Sequence, residues 1–176
     1  GGLRRFEEAE RVVRKALALA PGDPAVLTVL GWLQMEQQQD ALARDTLKRS
    51  LSLKPEQFLA AFNYGILSLR IDEVETGLRW LRRATSIEPK NAGAWHVLAL
   101  ELARHGLTEE ALPVAERCLR LSPEDHAIEA LVHRLKRGGT ETDEGWSFVV
   151  EESVSIGPDF GVKRGAETET DDDGVP

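Results

Sequence analysis

Four related strings decide the fold: ALALAPGD at residues 16–23, SLSLKPEQ at 50–57, ATSIEPKN at 84–91 and CLRLSPED at 118–125. Their prolines, at positions 21, 55, 89 and 123, are each 34 residues apart. An aliphatic residue lies two positions before each proline, and a small residue lies five positions before it. Three features that stay in phase over four copies establish a 34-residue repeat.

Each repeat unit is predicted to contain two helices. In its second half, apolar residues recur at helical spacing, as in Ala9, Val12, Val13 and Ala16 of the first copy. The proline ends this helix because its ring removes a backbone N–H and clashes with the preceding turn. Asp23, Asn91 and Asp125 follow the prolines and are predicted to cap the next helix through their side-chain oxygens.

The first half of each unit is predicted to be helical as well, as in VLTVLGWLQMEQQ at 26–38. Small residues recur there at Gly31, Gly65 and Ala99, where they allow two helix backbones to approach closely. The partner helix carries a second small series at Ala43, Gly77 and Ala111. Breaks of two or three residues separate the halves, which makes the two helices antiparallel. Gly77 is expected to soften its helix by about 1 kcal/mol relative to alanine.

This pattern resembles the tetratricopeptide repeat, whose signature is W-x2-L-G-x2-Y, then A-x3-F and P. The last copy matches best, through Trp95, Leu98, Ala99, Ala111 and Pro123. Gln34 and Ser68 depart from the family pattern, since an aromatic residue is usual at their position. The resemblance covers residues 1–125 and implies an all-α fold: an α-α superhelix, or right-handed solenoid of antiparallel helix pairs.

The repeat period predicts the organisation of the chain. The predicted segments are the second helix of a truncated repeat at 1–23, three repeats at 24–57, 58–91 and 92–125, a capping helix at 126–138 and an acidic tail at 139–176, partly extended or disordered. The first segment keeps apolar residues such as Val12 and Leu17 where an end repeat is normally polar. It is therefore expected to continue into further repeats, or to be covered by a second copy or by the tail.

Composition and motifs argue against several functional classes. Residues 141–176 hold eleven acidic and two basic residues, whereas the remainder of the chain is nearly neutral, with basic and acidic residues interspersed. This pattern lacks the one-sided basic surface of a nucleic-acid-binding protein, and no apolar run is long enough for a membrane helix. The single cysteine, Cys118, excludes an internal disulfide framework and is interpreted as a small core side chain. We therefore expect no nucleic-acid partner, no membrane insertion and a cytoplasmic protein.

The sequence also contains no glycine-rich phosphate loop, no spacing typical of metal ligands and no nucleophile placed beside a base. Its four histidines are scattered along predicted helix surfaces. The prediction is a protein that is not an enzyme, with no catalytic residues, no metal site and no cofactor.

The resemblance implies that the first helices of successive repeats line a concave groove that binds a partner polypeptide. The groove residues are predicted to be Thr28, Trp32, Met35, Leu59, Phe62, Asn63, Ile66, Leu69, Arg70, His96, Val97, Leu100 and Arg104. Most are apolar, which favours a helix or extended segment with aliphatic side chains as the ligand. Arg70 and Arg104 are expected to receive an acidic flank. The alternative is that several of these side chains pack between helices and expose little.

Some members of the family clamp the carboxylates at a peptide terminus with Lys, Asn and Arg residues. Only Asn63 matches that set here, since Thr28, Trp32 and Val97 occupy other clamp positions. The leading prediction is therefore a scaffold or adaptor with an apolar groove. One alternative is a regulatory or targeting segment of a larger multidomain protein or enzyme. Another is a self-assembly module that associates through the open first repeat or the tail.

The tail includes WSFVVEESVSI at 146–156, which is typical of a strand, followed by an acidic stretch typical of disorder. Trp146, Phe148, Val149 and Val150 are candidates for docking on the groove of this chain or of a neighbour. The alternative is a linker that leads to another domain.

Overall fold

The structure, a computed structural model, describes the backbone of residues 2–138 and the side chains of residues 8–138. The described residues form α1 (Gly2–Leu19), α2 (Pro24–Glu36), α3 (Asp40–Leu53), α4 (Phe58–Arg70), α5 (Val74–Ile87), α6 (Ala92–Arg104), α7 (Thr108–Leu121) and α8 (His126–Lys136). They contain no strand, which confirms the predicted all-α fold. None of these helices is long and apolar enough to cross a lipid bilayer.

The helices pack as successive hairpins. The most extensive contacts join α2 to α3, α4 to α5 and α6 to α7, so each first helix lies against the second helix of its own repeat. The second helix then packs on the first helix of the next repeat, as α3 does on α4 and α5 on α6. After the last repeat, α8 packs on α7 and α6, in the segment predicted to be a capping helix. The predicted tail, residues 139–176, lies outside the described part of the chain.

The turns inside the three hairpins share one conformation. Gln38, Asp72 and Gly106, which are 34 residues apart, all have left-handed backbone torsions, with φ between 59° and 73°. In each case the next residue donates its N–H to the carbonyl five residues earlier, for example Gln39 to Gln34 at 2.8 Å. This double-bonded helix end, the Schellman motif, reverses the chain within three residues. Only the last copy has glycine at the left-handed position, where a side chain is disfavoured.

The connections between repeats confirm three of the predicted helix caps. Asp23 accepts hydrogen bonds from the N–H groups of Ala25 and Val26 at 2.8 and 3.1 Å. Asn91 and Asp125 accept one backbone N–H each, from Ala94 and Ile128, both at 3.2 Å. The equivalent Gln57 makes no such bond.

The hairpins are held at a close helix–helix approach centred on the small residues. A Cβ atom placed on Gly31 would lie 2.6 Å from Cγ of Leu47, and one placed on Gly65 would lie 3.0 Å from Cγ of Leu81. The first distance is shorter than carbon atoms tolerate, and the second is tight enough that Leu81 would have to shift by a few tenths of an ångström. Glycine at these sites therefore fits the leucine on the partner helix. In the last repeat the corresponding positions are both alanine, Ala99 and Ala115, and both are fully buried.

Gly77 has a packing role that the sequence did not reveal. A Cβ atom there would lie 2.5 Å from Cγ of Leu69 and 2.9 Å from the carbonyl oxygen of Gly65. The second contact involves backbone, which cannot move without separating α4 from α5. Glycine lowers the helix propensity at this site, but it also permits a contact between α4 and α5 that alanine would disrupt.

We predict that Gly77→Ala destabilises the protein, although alanine is the better helix former. Overpacking costs typically about 1–3 kcal/mol, which outweighs the roughly 1 kcal/mol gained in helix propensity. Thermal or urea unfolding of the full chain would measure the change. Gly22→Ala is the control, because a Cβ atom there meets nothing within 4 Å. A Gly77→Ala protein more stable than the wild type would contradict the packing argument.

Ion pairs connect the second helices of neighbouring repeats. In one of them, Arg82 of α5 donates two hydrogen bonds to Glu110 of α7, at 2.6 and 2.7 Å. The arginine lowers the pKa of the Glu110 carboxyl chiefly by hydrogen bonding, and the carboxylate in turn raises the pKa of Arg82. Both side chains are about two-fifths exposed, so solvent screens much of the attraction.

We predict that Glu110→Gln lowers the free energy of unfolding at neutral pH by at most about 1 kcal/mol. A carboxyl with a lowered folded-state pKa contributes stability above its unfolded pKa and loses it as the pH falls through the folded value. The difference between variant and wild type should therefore disappear in acid. Urea unfolding at a series of pH values measures it. Glu109→Gln is the control, because it removes a neighbouring carboxylate from the same first helical turn. An equal loss in both variants would assign the effect to the helix dipole.

Candidate binding surface

The first helices of the repeats lie along one face of the array. Besides its contacts within the hairpin, α2 packs directly on α4, and α8 takes the place of a further first helix by packing on α6. Ion pairs link the second helices: Arg44 of α3 pairs with Glu73, the residue before α5, and Arg82 of α5 pairs with Glu110 of α7. The first helices are in direct contact at two steps of the array, α2 with α4 and α6 with α8.

Six of the thirteen predicted groove residues are buried inside the array: Thr28, Met35, Phe62, Asn63, Leu69 and Val97. Phe62 is fully buried and stacks at a tilt on Phe58, with the ring centroids 5.7 Å apart. Met35 is 1% exposed. These side chains pack between helices, as the alternative interpretation of the sequence allowed, and in this arrangement they offer almost no surface to a partner.

The other seven predicted residues remain accessible. Arg70 is exposed, and the side chains that are partly exposed are Trp32, Leu59, Ile66, His96, Leu100 and Arg104. Trp32, Ile66 and Leu100 are 34 residues apart and therefore occupy the same position on α2, α4 and α6. We call these three residues the apolar row. These three side chains are only partly covered, whereas the predicted residues next to them on the same helices, such as Met35, Phe62 and Val97, are buried. Helical periodicity alone does not distinguish the two sets.

The two predicted cationic residues already have partners on this chain. Arg70 forms an ion pair with Asp40 at 2.5 Å and also donates to the backbone carbonyl of Met35 at 3.4 Å. Arg104 forms an ion pair with Glu101, one turn earlier on α6. An acidic ligand would therefore compete with these carboxylates for the two arginines.

Thr28 and Asn63, two residues at possible clamp positions, are buried in the interior of the array. The Thr28 hydroxyl donates to the carbonyl of Pro24 at 2.9 Å and lies 2.8 Å from the Ser50 hydroxyl. Asn63 is 1% exposed. Both therefore support the helix packing.

His96 is partly buried and directed toward the start of α8, where its Nδ1 atom lies 2.6 Å from a carboxylate oxygen of Asp125. The thiol of Cys118 has two acceptors within reach, the carbonyl of Ala92 at 3.5 Å and the same Asp125 oxygen at 3.9 Å. Cys118 is fully buried, which confirms its interpretation as a core side chain. Sequence spacing gave no sign of this three-residue cluster, because its members come from α6, α7 and the cap of α8. The available signal was a comparison of the copies position by position, since the repeats at 24–57 and 58–91 carry different residues at all three positions.

The comparisons with known proteins agree with the repeat geometry. Two family models described as tetratricopeptide repeat match residues 2–61 and 92–125, together more than half of the chain. The chain belongs to the tetratricopeptide repeat family. A curated relative, the tetratricopeptide repeat-containing protein trd-1 of Caenorhabditis elegans, is 27% identical over 95 residues. That alignment covers 54% of this chain and 12% of the relative, so the chain spans only a small part of that protein.

Three solved structures share the fold. The crystal structure of MamA has a TM-score of 0.67 at 23% identity, covering 76% of this chain and 78% of MamA. YrrB, a tetratricopeptide repeat protein with an unusual peptide-binding site, has a TM-score of 0.65 at 18% identity, covering 78% of this chain and 71% of YrrB. The first such domain of Spaghetti (RPAP3), bound to an HSP90 peptide, has a TM-score of 0.60 at 16% identity, covering 66% of this chain and 92% of that domain. At these identities the likeness establishes the fold alone.

Proposed function

We propose that this protein is an interaction scaffold that binds a segment of a partner polypeptide across α2, α4 and α6. The observation that supports this most is the apolar row of Trp32, Ile66 and Leu100, which stays partly exposed while the residues around it are buried. Partly exposed Leu59 lies one helical turn from Asn63 and two from Ile66 on α4, and it widens the apolar surface.

The form of the surface favours a ligand with regularly spaced apolar side chains. A repeated position on successive parallel helices presents anchors at regular intervals, which suits an extended strand or one face of a helix. A large aromatic residue such as Trp32, half-buried and therefore fixed by its neighbours, is the kind of side chain that dominates binding energy. The peptide-bound structure of Spaghetti (RPAP3) is a precedent within the family for a polypeptide ligand.

We predict that reversing the polarity of the row abolishes binding without unfolding the protein. Peptides selected from a random library on the full chain provide the ligands, and fluorescence anisotropy of a labelled peptide measures their affinity. Trp32→Arg, Ile66→Arg and Leu100→Arg should each weaken binding at least tenfold, since each buries an unpaired charge beneath the ligand.

Leu42→Arg and Leu53→Arg are the matched controls. Both leucines are about half exposed but lie on α3, a second helix. They should leave the affinity unchanged, and circular dichroism should give all five variants the wild-type helix content. Two results would show that the binding surface lies elsewhere: loss of peptide binding in the α3 variants, or unchanged binding in all three row variants. Phe62 is unsuitable as a probe, because it is fully buried and its replacement would test packing.

Self-association through α1 is a second candidate function. Val12 and Leu19 are 57% and 88% exposed on that helix, whereas Val13 is buried against the array. Exposed aliphatic side chains on an end helix favour contact with another helical face.

We predict a mass that rises with concentration in light scattering of the full chain, and a return to the monomer mass in a Val12→Glu, Leu19→Glu variant. Leu42→Glu is the control, because it adds an acid at an equally exposed leucine on α3. A monomer over the whole concentration range would exclude this candidate and leave the groove proposal untouched.

A further inference from the structure

Three side chains with metal-binding atoms meet where the last repeat joins the capping helix. They are His96 of α6, Cys118 of α7 and Asp125, the residue that caps α8. One ligand atom from each lies within 4.8 Å of the other two. The cluster is shielded on the cysteine side, where the thiol is fully buried, and opens toward His96, whose side chain is 28% exposed.

The spacing of these atoms is close to that of a tetrahedral zinc site. Zinc bonds of about 2.0–2.3 Å to nitrogen, oxygen and sulfur place the ligand atoms about 3.3–3.6 Å apart. In the protein, Nδ1 of His96 lies 2.6 Å from Oδ2 of Asp125, and the Cys118 sulfur lies 3.9 Å from the same oxygen. The third pair, Nδ1 of His96 and the Cys118 sulfur, lies within 4.8 Å, so shifts of roughly 1 Å shared between the side chains would accommodate a cation.

The other repeats show that the fold does not need these residue types. The equivalent positions in the repeat at 24–57 are Thr28, Ser50 and Gln57, where Ser50 accepts a hydrogen bond from Gln57 at 2.9 Å and lies 2.8 Å from the Thr28 hydroxyl. In the repeat at 58–91 the positions hold Phe62, Ala84 and Asn91. Uncharged polar and apolar residues both satisfy the junction. Aspartate recurs at the third position as Asp23, where it caps α2. The histidine and the cysteine have no counterpart in the other copies, and beside this aspartate they point to a further role.

The electrostatics of the cluster disfavour a catalytic triad. Burial, followed by the charge of Asp125 and a hydrogen bond to it, raises the pKa of the Cys118 thiol to about 12. A nucleophilic cysteine needs a lowered pKa and a histidine that accepts its proton, whereas this thiol donates to a carboxylate. A divalent cation would favour the deprotonated thiol, because its charge stabilises a thiolate and a carboxylate side by side.

We propose that His96, Cys118 and Asp125 form a binding site for a thiophilic divalent cation, for which Zn²⁺ is the best match. Sulfur, imidazole nitrogen and carboxylate oxygen are all zinc ligands, and a thiolate disfavours Mg²⁺ and Ca²⁺. On binding, the thiol proton passes to solvent and His96 coordinates through Nδ1 while carrying its proton on Nε2. The fourth position opens on the His96 side and is available to water or to a ligand from a partner.

The bound cation would join three helices at one point. Because α6, α7 and the cap of α8 each supply one ligand, the metal would stabilise the capping helix against the last repeat. The other oxygen of Asp125 accepts the N–H of Ile128 and can keep this bond.

The test uses the full chain without an affinity tag, under a phosphine reductant. Titration with Co²⁺ in excess Mg²⁺ should give a thiolate-to-cobalt charge-transfer band that saturates at one cobalt per chain and is removed by Zn²⁺. The Mg²⁺ occupies carboxylate-only sites in the acidic tail, and these have no thiolate band in any case. Zn²⁺ should also raise the melting temperature.

The variants are taken from the other repeats, which carry the new residues at these positions: His96→Thr, Cys118→Ser and Asp125→Asn. Cys118→Ser should abolish the band, and each of the other two should weaken cobalt binding more than about tenfold. His133→Ala, at an exposed histidine of α8, is the control and should bind as the wild type does. Circular dichroism and the melting temperature without metal show whether each variant folds.

Two results would overturn the proposal. The absence of a thiolate band in the wild-type protein would make the cluster a hydrogen-bonded junction only. Stoichiometric Zn²⁺ binding that persists in a folded Cys118→Ser variant would place the metal elsewhere. Neither result bears on peptide binding by the apolar row, which is measured independently.

Discussion

The close approach of two helix backbones inside each hairpin is the contact on which the rest of the structure depends. A Cβ atom on Gly31 would collide with Leu47 of the second helix, and one on Gly65 would press against Leu81. In the central hairpin, a Cβ atom on Gly77 would lie 2.9 Å from the carbonyl oxygen of Gly65. Once this spacing is fixed, the identical three-residue turns and the four-residue junctions repeat the same hairpin at each step along the array.

The same packing determines which part of the first helices a partner can reach. Tight packing within and between hairpins buries Met35, Phe62 and Leu69, and it leaves Trp32, Ile66 and Leu100 partly exposed at one repeated position. The core and the proposed binding surface therefore lie on adjacent stripes of the same helices. The side chains of the row pack partly against buried neighbours. This packing limits their motion and lowers the entropy lost when a ligand binds.

Repetition of the backbone gives the chain several equivalent sites at which side chains can vary without changing the fold. At the junction between repeats, one copy places a threonine, serine and glutamine network, the next an apolar contact, and the last the cluster of His96, Cys118 and Asp125. The junction is a favourable place for such variation because three helices meet there and the backbone hydrogen bonds are satisfied by the cap and the turn.

The sequence by itself determined the period, the helices, the antiparallel pairing, three of the helix caps and the family resemblance. These depend on local chemistry, namely proline ending a helix, a carboxylate or amide beginning one, and apolar residues at helical spacing. Tertiary structure decided which of two adjacent apolar stripes is buried, because that depends on the direction from which the neighbouring hairpin approaches. It also decided that Gly77 is needed for packing and that His96, Cys118 and Asp125 meet, since residues 22 and 7 positions apart come together only when three helices are stacked.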